Sequence, residues 1–198
     1  YSYDYDREKH GYTSMIDVDS FVDYFIINEL SSNADAGNYS TYIYKGTDNL
    51  YRMCVWDFNN ACNNYFEDEL PYTGFFLNNR LWFEMLIKDE DFTERIIQRY
   101  HSLRKGLLSE ESLYHYIDEI LDFIGPALER NDARWGSVEQ QAKGLLVPVS
   151  RNLDSRSAAE GQLKGYLRNR GEWLDENIET LRQYSASSRV KQYNEVND

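Results

Sequence analysis

A chain of 198 residues and 23.4 kDa, 41% hydrophobic and 15% aromatic with 17 Tyr, can build a real core. It suits one domain, or one lobe of a larger one, and is not a disordered composition. A formal charge of −13 and a pI near 4.7 argue against nucleic acid and anionic membranes as partners, because both need a basic face. There is no run of about 18 apolar residues, so no membrane insertion is expected, and two cysteines, Cys54 and Cys62, make neither a disulfide scaffold nor paired zinc ligands.

The chain opens Tyr1-Ser2-Tyr3-Asp4-Tyr5-Asp6, with neither Met nor the charged start of a signal peptide, which points to an excised piece or a processed product. Residues 1–14 are polar and aperiodic and read as a lead-in loop. Val18, Phe21, Val22, Phe25, Ile26 and Leu30 then recur at helical spacing, behind Asp17 as the N-cap. Glu29 falls near the C-terminal end of this helix, where a carboxylate opposes the helix dipole; it is either an ordinary surface acid or one with a cationic partner. Ser31-Ser32-Asn33 stops the helix and residues 34–38 form a loop. Tyr39 to Lys45 and Leu50 to Trp56, joined by Gly46-Thr47-Asp48-Asn49, read as a β-hairpin, and Asp57 stands where the second strand runs out.

From Asn59 to Asn78 the pattern is irregular, and a loop this long is uncommon unless it is functional. Helices follow. Leu81, Trp82, Met85 and Leu86 share one face. Phe92, Ile96, Tyr100 and Leu103 share another, closed by Gly106. Ser109 caps a third helix with Leu113, Ile117, Ile120, Leu121 and Ile124 turned inward. Gly125-Pro126 is expected to break it and to start a further helix reaching Trp135. Residues 136–156 give no clear pattern, and Leu163, Leu167, Arg170, Leu174, Ile178 and Leu181 trace a long closing helix. Trp82, Trp135 and Trp173 are expected in the core and Trp56 beneath the loop that carries Asp57. The fold class is therefore α+β and predominantly helical: a single unit 1–198, with the helix, hairpin and loops of 15–78 on a helical body of 79–198.

The hairpin makes Asp35 and Asp57 spatial neighbours although they are far apart in sequence. Two carboxylates brought together repel unless a positive group lies between them, and a divalent cation with phosphate oxygens is one natural solution. Solvated loop acids are the plainer alternative. His10, His101 and His115 lack ligand spacing.

The wording of the sequence narrows this choice. The run Ile16-Asp17-Val18-Asp19-Ser20-Phe21-Val22-Asp23-Tyr24-Phe25-Ile26-Ile27-Asn28-Glu29-Leu30, then Asn33-Ala34-Asp35, Ser40-Thr41-Tyr42-Ile43-Tyr44-Lys45 and Val55-Trp56-Asp57-Phe58-Asn59, closely resembles the spore coat protein H (CotH) kinase family. Tyr72-Thr73-Gly74-Phe75-Phe76, Trp82-Phe83-Glu84-Met85-Leu86, Arg99-Tyr100 and Arg170-Gly171-Glu172-Trp173-Leu174 follow in that family's order, so the resemblance runs from about residue 11 to about residue 182.

The resemblance implies an atypical protein-kinase-like fold, of which this chain is like the C-lobe. It also implies phosphoryl transfer from ATP, with Mg²⁺, to the hydroxyls of a protein substrate. Asp35 matches the acid that orients the acceptor hydroxyl, and Asp57 the acid that holds the metal. A kinase carries a metal-binding Asn five residues after the first acid; here that position is Ser40, while Asn38 and Asn59 stand nearby as substitutes. The strand-borne Lys that clamps the phosphates in kinases has no counterpart before Asp35. The chain is therefore expected to be a poor enzyme in isolation and to work as part of a longer protein. By the same resemblance the location is bacterial and secreted, cell-surface or spore-coat. A pseudokinase or structural scaffold of a coat assembly, and a carbohydrate-associated accessory domain, are the rival readings.

Overall fold

The computed structural model describes residues 11–137 and 145–185. Its elements are α1 (Val18–Ser31), β1 (Tyr42–Lys45), β2 (Tyr51–Cys54), α2 (Phe83–Leu86), α3 (Glu90–Arg104), α4 (Glu110–Trp135) and α5 (Arg156–Asn177), the last continued by a 3₁₀ turn, Ile178–Gln183. The class is α+β: a mostly helical body with one two-stranded antiparallel sheet.

α1 is the central element. Asp17 caps it by accepting from the Ser20 N–H at 3.1 Å. Phe21, Val22, Tyr24, Phe25, Ile26 and Leu30 are all buried, covering more than one face, so neighbours pack around most of this helix. α3 covers one side with Phe92, Ile96, Ile97 and Tyr100, and the end of α5 another with Leu174, Ile178 and Leu181. Arg99 clasps Asp23 through two hydrogen bonds of 2.8 and 3.1 Å at the rim of the α1–α3 contact. Tyr100 reaches α5, its hydroxyl donating to Asp175 at 2.7 Å.

The hairpin pairs Tyr42 with Cys54, Ile43 with Met53, Tyr44 with Arg52 and Lys45 with Tyr51. Two strands alone are marginal in water, and this pair is tied to α1 from outside. Tyr51 donates to Met15 O and accepts from Asp17 N–H, both at 2.9 Å. The Met53 N–H donates to the Ser20 hydroxyl at 3.0 Å, and Arg52 pairs with Asp17 at 2.9 Å. Both strands are shorter than their β-rich text, because the pairing stops where the chain bends at Ser40 and Asp57, each with positive φ.

Three expectations about the helices are corrected. In the α2 region Phe83 and Leu86 are buried, while Leu81, Trp82 and Met85 are 43–46% exposed; Leu81 takes φ 46°, outside the helix, so the face predicted from it is not the one presented. α4 runs unbroken through Pro126. The proline removes one N–H from the ladder, and the helix around it is open enough, with Phe123 83% exposed, for water to take the freed carbonyl. α4 also buries none of its side chains fully. Leu113, Ile117, Leu121 and Ile124 are half-buried and Ile120 exposed, and α4 is tied to α5 by polar contacts such as Tyr114 to Lys164 O and Arg156 with Asp132. Trp135 and Trp56 are likewise exposed, Trp56 lying edge-on to Tyr42; Trp173 packs against the core, and half-exposed Trp82 meets it at Phe21.

Candidate functional site

The loop bearing Asp35 begins where α1 ends. Ser32 turns left-handed at φ 47° and its N–H closes on Asn28 O and Glu29 O. Two buried amides continue the path. Asn28 donates to Tyr24 O at 2.8 Å, Asn33 donates to Asn28 Oδ1 at 3.0 Å, and the Asp35 N–H donates to Asn33 Oδ1 at 3.3 Å. The Asp35 carbonyl then accepts from the N–H groups of Asn38 and Tyr39 at 3.0 and 2.8 Å. From the opposite side the Arg80 guanidinium donates to Ala34 O at 2.7 Å and to Ala36 O at 3.1 Å, so both carbonyls flanking Asp35 are held by one side chain. Gly37 is required here: its φ is +78°, and a Cβ would stand 2.9 Å from Arg80 Cβ.

Asp57 opens the second loop with φ 55°, a conformation Asp tolerates better than most residues. A turn from Phe58 to Ala61 follows, and the Cys62 N–H donates to Ser31 O at 2.6 Å, which binds this loop to the end of α1. Burial pushes the Cys62 thiol up to about 12, and both cysteines are free.

The two loops are joined at two points. The Ser40 hydroxyl makes a long contact, 3.4 Å, with Asp57 Oδ2. The Asn60 amide donates to Asp35 Oδ2 at 2.8 Å. Asp35 is half-buried and Asp57 exposed. Of the other predicted ligands, Ser40 faces Asp57, whereas Asn38 and Asn59 are exposed and only the backbone of each takes part in the loop bonds. A groove of about 420 Å³ beneath the hairpin, lined by Tyr24, Ile27, Met53, Val55 and Leu103 among others, contains neither acid.

Residues 3–174 match the model of the family described as CotH kinase protein. The chain belongs to the CotH kinase family. No curated protein matches it significantly.

Below the site of this CotH family member lies an ion pair that answers the question raised by Glu29. Glu29 and Arg170 are both buried and meet at 2.7 Å. The Glu29 carboxylate also accepts from the N–H groups of Phe76 and Leu77 at 2.7 to 3.0 Å. Arg170 donates further to Glu29 O, Tyr72 O and Gly74 O, with Phe76 and Trp173 against its guanidinium. Burial pushes the Glu29 carboxyl up from its ordinary range, and Arg170 with the two backbone donors pulls against that rise. The pair thus pins the long loop after Asp57 to both α1 and α5.

Sequence reading missed Asn60, Arg80 and the Asn28–Asn33 relay. Asn60 sits in an Asn59-Asn60 doublet in which nothing singles out either residue, and Arg80 lies in the irregular stretch whose return to the site no periodicity announces.

Proposed function

We propose that the chain is the phosphotransfer part of a CotH-type protein kinase, moving a phosphoryl group from ATP to a protein hydroxyl, on a scaffold like a kinase C-lobe. The observation that carries this is the double tie between the Asp35 and Asp57 loops. It holds an acid meant for a hydroxyl beside an acid meant for a cation, as phosphoryl transfer needs.

The donor set fits Mg²⁺. Asp57 and the Ser40 hydroxyl offer hard oxygen ligands, with the Asn38 and Asn59 amides in the same loops. Among the described residues no group of three His, Cys, Asp or Glu could form an all-protein cage. Mg²⁺ commonly takes one or two carboxylates and completes its shell with phosphates and water. When bound, the cation would neutralise charge on the transferring phosphoryl group. Asp35 orients the acceptor hydroxyl and accepts its proton as the oxygen bonds to the γ-phosphorus; the bond to the β–γ bridging oxygen breaks and ADP leaves. The acceptor class is a protein of a coat or cell surface, in keeping with the family.

The test is radiolabelled ATP with a generic acceptor protein, using this chain, the longest gene product that contains it, and the Asp35→Asn form of the latter. We expect transfer by the longer product, little by this chain alone, and none by Asp35→Asn. Robust transfer by the chain alone would overturn the view that phosphate clamping lies outside it. An inactive longer product would select the scaffold or pseudokinase reading instead.

A further inference from the structure

The backbone around Asp35 is held on several sides. Asn33 takes its N–H, Asn38 and Tyr39 bond its carbonyl, and Arg80 grips the carbonyls on either side. What remains free is the rotation of the carboxylate itself. A carboxylate that must meet a hydroxyl at one angle gains little from a rigid backbone if its oxygens can still swing, because transfer depends steeply on alignment.

The missing restraint comes from the opposite loop. The Asn60 amide donates to Asp35 Oδ2 at 2.8 Å. Only the NH₂ end of an amide can donate to a carboxylate, so the side chain's orientation is fixed by chemistry. Asn60 is itself placed by the Phe58–Ala61 turn and by the Cys62 N–H bond to Ser31 O at 2.6 Å, and it stands three residues after Asp57.

We propose that Asn60 is a positioning residue for Asp35: it holds one carboxylate oxygen from the loop of Asp57, leaves the other to accept from the acceptor hydroxyl, and so ties the base to the metal-holding acid. This rests on the phosphotransfer reading above. A hydrogen bond to a charged group contributes enough that Asn60→Ala should lower kcat roughly ten- to hundredfold. The KM for ATP should stay within about twofold, because the contact Asn60 makes is with Asp35. Asn60→Asp should be at least as impaired, since it would set a second carboxylate against the first.

The experiment measures both constants in the longest gene product that contains the chain, for wild type, Asn60→Ala, Asn60→Asp and Asp35→Asn. An unchanged kcat in Asn60→Ala beside an inactive Asp35→Asn would overturn the positioning role and leave the phosphotransfer reading standing. So would a loss carried by the KM for ATP. Transfer that survives Asp35→Asn, or an inactive wild type, would overturn that reading and the proposal with it. A readout independent of activity guards against misfolded variants. In ¹H–¹⁵N spectra of this chain, the two Asn60 side-chain protons should resonate as an unusually widely split pair that narrows to the ordinary amide splitting in Asp35→Ala. A splitting indifferent to Asp35→Ala would overturn the contact.

Discussion

Glu29 and the Asp35–Asp57 pair stand within one short stretch of chain, yet they are treated in opposite ways. Glu29 is sealed: a guanidinium and two backbone N–H groups meet its oxygens, and 1% of the residue is exposed. Asp35 has a single amide on its carboxylate and Asp57 a single long hydroxyl contact. A buried charge must be matched inside the protein, whereas a charge at the surface can wait for an external cation. The buried Glu29–Arg170 pair is therefore structural, whereas the weakly partnered acids keep oxygens open to an outside group.

The largest effect that could break this comparison is loss of Arg170. Arg170→Ala strands the Glu29 carboxylate in the core and releases the carbonyls of Tyr72 and Gly74. Removing one member of a buried pair typically costs about 3–5 kcal/mol, so urea unfolding should show a collapse of stability. Glu29→Gln with Arg170→Met should recover part of it, because neither residue then carries an unmatched charge. If Arg170→Ala unfolded at the wild-type urea midpoint, Glu29 would not be the sealed acid described here.

Next in size is Gly37→Ala. The substitution forces an L side chain into φ +78° and drives a Cβ against Arg80. The left-handed conformation alone costs about 1–2 kcal/mol. The same change should disturb the Asp35 loop, so phosphotransfer should fall further than the stability loss explains. Equal losses in the two measurements would remove Arg80 and Gly37 from the support of the site.

Asp57→Asn should behave in the reverse way. The residue is exposed, and surface substitutions commonly stay within about 0.5 kcal/mol. Unfolding should barely change while Mg²⁺-dependent nucleotide binding, measured by calorimetry on the longest gene product, is lost. Nucleotide binding equal to wild type would take Asp57 out of the metal role.

These contrasts also mark what the sequence could and could not convey. The α1 stripe, its Asp17 cap, the hairpin and the position of Asp57 were legible because each is a local signal, written in periodicity, capping chemistry or turn residues. The inward residues of α5 were legible for the same reason, Arg170 among them, although it is a charge on an apolar stripe. Its charge is explained by Glu29, more than a hundred residues earlier, and no local rule links the two. α4 failed the other way. Its periodicity was sound, but a stripe states only which residues share a face, not whether a neighbour comes to cover it. Pro126 was read by its cost in a helix interior, and an exposed helix beside water lowers that cost. Asn60 and Arg80 act through loop geometry, for which a single sequence carries no period at all.

The smallest expected effect is absent at neutral pH and concerns a buried thiol. Cys62 lies behind the site, its N–H bonded to Ser31 O and its carbonyl accepting from Gln162 at 3.1 Å. Burial pushes its thiol from 9.0 up to about 12. Tyr24, Tyr100 and Tyr166 are also raised, each chiefly by burial. A group raised in the fold keeps a proton that the unfolded chain gives up. Its contribution is therefore complete below the unfolded value and is lost as pH rises through the folded one. These four groups add no slope through neutrality and lower stability above about pH 9. Cys62→Ala should remove part of the slope between about pH 9 and 12 and leave the profile at neutral pH unchanged. At pH 8 a thiol reagent should modify Cys62 only as fast as the protein opens, since the thiolate is the nucleophile and little of it forms in the fold. Rapid modification of Cys62 in the native protein would mean that the loop behind Asp57 is open rather than sealed, and the contrast between closed support and open site would then have to be drawn at a different residue.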